Sequence, residues 1–220
     1  MGSNLDGDRL LAVFEALRAT HGPQDWWPAQ TPFEVMVGAV LTQNTSWTNV
    51  EHGLKNLATL GALTAPAILA LPEPELADRL RPVGYFNVKA RRLRAFCAAY
   101  LAHGGLEGLS RLATPELRHR LLAIQGVGPE TADDILLYAF DRPVFVVDAY
   151  TRRLLSRLGE LDGNEGYETI RQGLETALGR DVALFNEYHA LIVRHAKEVC
   201  RTRPRCGVCC LAELCAGRQG

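Results

Sequence analysis

Four cysteines near the C-terminus, Cys200, Cys206, Cys209 and Cys215, are separated by five, two and five residues. Four thiolates at such spacing hold a metal, and the spacing alone accepts either structural zinc or an iron–sulfur cluster. Five of the six cysteines fall in the last 21 residues; Cys210 is an extra thiol, and Cys97 sits alone in an apolar stretch as core filler. No basic-then-apolar secretion signal opens the sequence, so the thiols are expected to be reduced rather than paired. Arg201, Arg203 and Arg205 lie on the loop that the first two ligands would close, and a metal there would fold a basic loop against phosphate.

A second constellation is the stretch LLAIQGVGPETADDILLYAF, residues 121 to 140. Gly126, Val127 and Gly128 separate two apolar helical patterns, and a glycine turn leaves the first amides of the second helix open to close approach. Phosphate is the natural guest of such a turn. An ordinary helical hairpin with glycine at its turn is the alternative reading of the same residues. Asp148 follows twenty residues after Gly128, directly behind VFVV and ahead of AYTRR, with Arg152 and Arg153 next. Two basic runs flank these motifs: Arg79 to Arg94 holds six basic residues, Lys89 among them, and no acidic one, and Lys197 to Arg205 holds four against Glu198. Either run alone reads as a solvated face; beside these motifs they read as phosphate contacts. Trp26 and Trp27 are adjacent in GPQDWWPAQ, a loop with little helix to bury them, and Trp47 is the third tryptophan. Such faces stack on flat aromatic ligands and favour cationic ones.

The elements that must position these groups are helical. Leu10, Phe14 and Leu17 mark a first helix stopped at His21-Gly22-Pro23. Thr31, Pro32 and Glu34 predict an N-cap, a first-turn proline and a capping box, with a helix through Leu41. Thr114-Pro115 is expected to open a helix in the same way. After Gly128, Ala132, Ile135, Leu136, Ala139 and Phe140 share one face, which puts Asp133 and Asp134 on the opposite, wetter one. Only VFVV, 144 to 147, has strand character, and a buried connector fits it equally. The 220 residues are 47% apolar, enough for one large domain or two small lobes. No run approaches the roughly 18 apolar residues of a membrane span. We expect no membrane partner and an intracellular, cytoplasmic protein, nucleoid-associated if bacterial. Net charge is near zero, so local rather than global charge must argue for nucleic acid.

Taken together, LLAIQGVGPETADDILLYAF with VFVVDAYTRRLLSRLG, FEVMVGAVLTQNTSWTNV, VGYFNVKARRL and YHALIVRHAKEVC resemble the endonuclease III superfamily of DNA glycosylases. The resemblance covers most of the chain. It implies an all-α, two-lobed fold: a six-helix domain over 30–143 with the helix-hairpin-helix, and a second lobe from 1–29 plus 144–220 carrying the cysteines, with DNA in the cleft between. It makes the four-cysteine group, Cys200, Cys206, Cys209 and Cys215, a [4Fe–4S] site with zinc the lesser choice, although the first spacing is one residue short of the usual six. It casts Gln43 as the residue entering the vacated base stack and Tyr85 as the opposite-strand wedge. Asp148 becomes the carboxylate that stabilises positive charge on the sugar and orients water.

Superfamily members that also cut the strand use a lysine two positions beyond the second hairpin glycine, as a Schiff-base nucleophile. Glu130 stands there, which implies a monofunctional enzyme that leaves an abasic site. Lys89 and Lys197 are the remaining lysine candidates. DWWP, LTQNTSW and the Glu130 hairpin are closer to the 3-methyladenine DNA glycosylase III branch, with Trp26, Trp27, Trp47 and Glu130 at the base. Gly126, Val127, Gly128, Lys89, Arg152, Arg201, Arg203 and Arg205 are the expected phosphate contacts, the partner is double-stranded DNA with damaged bases, and a monomer is the simplest state. The alternatives are an oxidised-pyrimidine glycosylase with weak or no lyase activity, and a non-catalytic DNA-structure-binding protein.

Overall fold

The computed structural model describes residues 5–24, 26–27, 29–59 and 63–217. It is all-helical and divides into two compact units: residues 29–142, and residues 1–28 with 143–220.

The contiguous unit contains α2 (Pro32–Leu41), α3 (Trp47–Ala58), α4 (Ala65–Ala70), α5 (Glu73–Arg79), α6 (Phe86–Ala102), α7 (Gly105–Ser110), α8 (Thr114–Leu122) and α9 (Pro129–Phe140). Thr31 caps α2 by accepting the Glu34 N–H at 3.2 Å. Glu34 reaches back to the N–H of Gln30 at 2.9 Å, one residue before the expected box partner. Every residue from Val35 to Leu41 is buried, so α2 is apolar all round, as a central helix must be. It packs on α3, α6 and α9.

Two expectations are corrected in this unit. Ala113 takes the extended cap position of α8, so Thr114 is already inside the helix and makes no side-chain cap. Asp133 and Asp134 are buried rather than wet, because α9 packs on both α2 and α8. Asp133 is paired there at two points with Arg118 of α8, at 2.6 and 3.0 Å.

The second unit joins α1 (Gly7–His21) to α10 (Ala149–Leu158), α11 (Tyr167–Leu178), α12 (Val182–Glu198) and the cysteine tail. Helix α1 packs on α11 and α12. Tyr188 of α12 donates its hydroxyl to the Leu10 carbonyl at 2.8 Å, and its ring meets Phe14 and Phe145 edge-on. Truncating Phe145 to alanine in this aromatic core would cost about 3–5 kcal/mol. The VFVV segment is buried but pairs with no strand among the described residues. Side chains satisfy its amides instead: Glu175 accepts the Phe145 N–H at 3.1 Å, and the Tyr167 hydroxyl accepts that of Val147 at 3.4 Å. The connector therefore delivers Asp148 from an anchored backbone.

Candidate functional site

Asp148 is the N-cap of α10, and its Oδ1 accepts the Thr151 N–H at 2.7 Å. Its side chain is 13% exposed, and His189 Nε2 stands 3.6 Å from Oδ2. Burial alone would raise its pKa; the facing imidazole of His189 and the Thr151 amide outweigh burial and hold it below the usual carboxylate value. This is an ionised, immobilised carboxylate with one edge still reaching solvent. His189 was not among the sequence-predicted residues. Its signal was only an isolated histidine on an apolar helix face.

The Trp26 and Trp27 side chains are half-buried. The Trp26 indole N–H is buried without a hydrogen-bond partner among the described residues. Lys197 places its ammonium 5.9 Å from the Trp26 ring centre and 5.7 Å from that of Tyr150, while Arg153 lies 5.2 Å from the Tyr150 ring. A cation thus already neighbours the Trp26 face.

The hairpin site lies in the contiguous unit. Gly128 is the N-cap of α9, exposed and surrounded by open space, and Pro129 follows as the first helical residue. Val127 departs from expectation: its side chain is buried and its N–H donates to the Ile124 carbonyl at 3.0 Å, so this amide is committed to the turn. Gly126 adopts φ +88°, and a Cβ there would meet the stem of Arg92 at 2.4 Å. Glycine is required on both counts. Glu130 is exposed in the first turn of α9.

Gln43 is fastened to this turn. Its amide nitrogen donates to the Gly126 carbonyl at 2.9 Å and to Thr131 Oγ1 at 3.0 Å, and its amide oxygen accepts from Arg92. Neither Arg92 nor Thr131 was singled out in the sequence, since nothing in their spacing points at Gln43. Asn44 follows with φ 54°, a left-handed conformation asparagine tolerates. Trp47 opens α3 half-buried and donates its indole N–H to Glu51 at 3.1 Å.

Tyr85 is 73% exposed and left-handed (φ 44°, ψ 33°) at the start of α6, after Gly84 at φ 66°. A bulky residue there is strained, and such strain collects at functional positions. Lys89 explains how the turn is held. It is buried, 1% exposed, and its ammonium donates to the Val83 carbonyl at 2.6 Å. Burial, with Arg92 adding repulsion, lowers its pKa to about 8. As the structure stands, Lys89 is therefore a brace under the Tyr85 turn and not a phosphate contact.

In the tail, Arg201, Arg203 and Arg205 are exposed, and Arg152 donates to the Glu165 carbonyl at 2.9 Å. Arg153 and Arg157 of α10 tie the loop down: Arg153 donates to the carbonyls of Ala196 and Cys200, and Arg157 to those of Cys200, Arg201 and Thr202. Arg157 also donates to Cys200 Sγ at 3.2 Å, and the Cys215 thiol donates to the Arg157 carbonyl at 3.3 Å. Cys206 and Cys209 close a short turn through the Cys209 N–H, at 3.2 Å from the Cys206 carbonyl. Burial raises the Cys209 thiol pKa; the Leu211 amide opposes this, and the neighbouring thiols Cys210, Cys200 and Cys215 raise it further. Cys200, Cys210 and Cys215 thus neighbour the Cys209 thiol, with the Arg157 guanidinium on Cys200.

Residues 37–180 match the HhH-GPD superfamily of base excision DNA repair proteins. A protein of Methanocaldococcus jannaschii, provisionally named a DNA repair glycosylase, is 43% identical over 96% of this chain and 97% of its own. Endonuclease III of Treponema pallidum is 30% identical over 96% of each chain. The crystal structure of the Helicobacter pylori 3-methyladenine DNA glycosylase bound to 1,N6-ethenoadenine superposes with TM-score 0.77 at 30% identity, covering 88% of this chain and 98% of that one.

Proposed function

The chain belongs to the HhH-GPD superfamily of base excision DNA repair proteins, and from that premise we propose that this DNA glycosylase removes alkylated purines by hydrolysis, without cutting the strand. The observation that carries the reading is Asp148, a carboxylate held below its usual pKa, capped by the Thr151 amide and faced by His189. As the bond from the sugar C1′ to the purine N9 breaks, the base leaves with the bonding pair and positive charge grows on the sugar. Asp148 stabilises that charge. Water then bonds to C1′, gives up a proton, and leaves an abasic site. An N3- or N7-alkylated purine departs neutral, so it needs little acid assistance.

Glu130 supports the absence of lyase chemistry, because a carboxylate forms no Schiff base. Of the two other lysines considered, Lys89 is buried on the Val83 carbonyl, which leaves exposed Lys197. A purine is favoured by the tryptophans Trp26, Trp27 and Trp47, by the unpaired Trp26 indole donor and by the related enzyme that holds an ethenoadenine. Lys197 near Trp26 weakens the cation–π argument for a cationic base at that ring; Glu130 is the group that favours positive charge. Target extrusion costs a few kcal/mol, and we assign Tyr85 as the wedge and Gln43 as the stack-filling residue. Gln43 must first leave Gly126, Thr131 and Arg92. Gly126, Gly128, Arg152 and the tail arginines are assigned to phosphate, and Cys200, Cys206, Cys209 and Cys215 to a [4Fe–4S] cluster whose chemistry here is structural.

The test is incubation with methylated duplex DNA, chromatography of released bases and borohydride trapping of any covalent complex. We expect free 3-methyladenine or 7-methylguanine and no adduct. Release of oxidised pyrimidines alone would move the assignment to the other branch, and an adduct lost in Lys197→Ala would overturn the lyase-free mechanism.

A further inference from the structure

Beside the four-cysteine group, the discontinuous unit gathers a second set of donors. His21 ends α1, His195 lies in the last turn of α12, and Cys210 follows Cys209; one ligand atom from each lies within 4.8 Å of the others. His21 Nε2 and His195 Nδ1 are 3.0 Å apart, near the roughly 3.3 Å edge between two imidazole nitrogens on a tetrahedral ion with bonds of about 2.0–2.1 Å. The outward nitrogens are also engaged. His21 Nδ1 faces Glu198 Oε2 at 3.9 Å, and His195 Nε2 lies 3.5 Å from Cys209 Sγ. Partners on the far nitrogen are what orient metal-binding imidazoles.

We propose that His21, His195 and Cys210 form a second, mononuclear site for one divalent cation of the zinc class, separate from the four-cysteine group. Two imidazoles and a thiolate select a borderline-soft ion over magnesium or calcium. On binding, the Cys210 S–H bond breaks, sulfur bonds the metal and one proton leaves to solvent. The imidazoles bind neutral, each keeping its proton on the outward nitrogen, and water completes four-coordination. Such an ion links position 21 to position 210, clamping the N-terminal helix onto the tail.

Full-length protein with its iron loaded is titrated with Co²⁺, following the thiolate-to-cobalt charge-transfer band and the d–d bands, with iron and cobalt counted by elemental analysis. One Co²⁺ per chain beyond the iron is expected, with tetrahedral intensity. Cys210→Ser should abolish the charge-transfer band, and His21→Gln should weaken binding by about 100-fold, both with iron content and far-ultraviolet dichroism unchanged. Cobalt bands that survive both substitutions would overturn the site. So would loss of iron in Cys210→Ser, because it would place Cys210 in the four-thiolate group.

Discussion

The caps of α9 and α10, Gly128 and Asp148, stand twenty residues apart and treat unpaired helix amides in opposite ways. Every helix begins with N–H groups that have no internal partner. At α9 the cap is a glycine with no side chain, and the next residue is a proline with no N–H to satisfy. At α10 the chain supplies its own anion, since Asp148 accepts the Thr151 N–H. A helix start that is to receive a phosphate must not fill itself, whereas one that is to hold a carboxylate still can use its amides as the clamp.

The comparison breaks most sharply at Asp148. Asparagine caps a helix about as well as aspartate, so Asp148→Asn should melt within about 1 kcal/mol of the parent at neutral pH while single-turnover base release falls by about 100-fold or more. Undiminished release would reduce Asp148 to a cap. The sign with pH follows from its lowered pKa. The carboxylate's contribution to stability is fully present above the usual value near 4 and is lost as pH falls through the lower folded value. Acid melts of Asp148→Asn should be correspondingly flatter.

The opposite change is Gly128→Asp, which gives α9 a cap like that of α10. The site has open space and an extended backbone (φ −93°), so stability should hold or rise by a few tenths of a kcal/mol. Affinity for undamaged duplex should drop about tenfold, with a shallower salt dependence. Unchanged binding in a salt titration would remove this turn from the DNA contacts. Within the turn, Gly126→Ala should cost about 2–4 kcal/mol, because its positive φ and the clash of a Cβ with the Arg92 stem act together, and Gly128→Ala less than half of that; denaturant midpoints of the pair decide.

A pH-dependent effect concerns the brace under Tyr85. Lys89 gives up its proton near pH 8 when folded but near its ordinary value when unfolded. The unfolded chain therefore binds more protons between these values, and stability should rise with pH across that window. Urea titrations should show the rise flattened in Lys89→Met.

Much of the fold was legible because it rests on local signals. Thr31-Pro32-Glu34, the Leu10-Phe14-Leu17 stripe and the glycine hairpin each state their helix in a few residues. Thr114 and Asp133 misled because the deciding partner was elsewhere: Ala113 took the cap, and Arg118 made burial of a carboxylate tolerable. The site divides in the same way. Asp148 follows an apolar connector that the sequence displays, whereas His189, Arg92, Thr131 and Arg157 act through contacts 41 to 88 residues away that no spacing encodes. Lys89 looked like a phosphate contact from its basic neighbours, and only the turn below Tyr85 reveals its burial.

The division of the chain also sets an order of events on the ribosome. Residues 29–142 are consecutive, so that unit can close as soon as Arg142 has emerged. Helix α1, made earlier, rests on α11 and α12. At 15 residues it is marginal on its own. At roughly 5–20 residues per second it waits on the order of 10–30 s for those partners, by which time the consecutive residues 29–142 have all emerged. Asp148 caps α10 only after the Gly126–Gly128 turn exists, so a nascent chain completes its open helix start before its self-capped one.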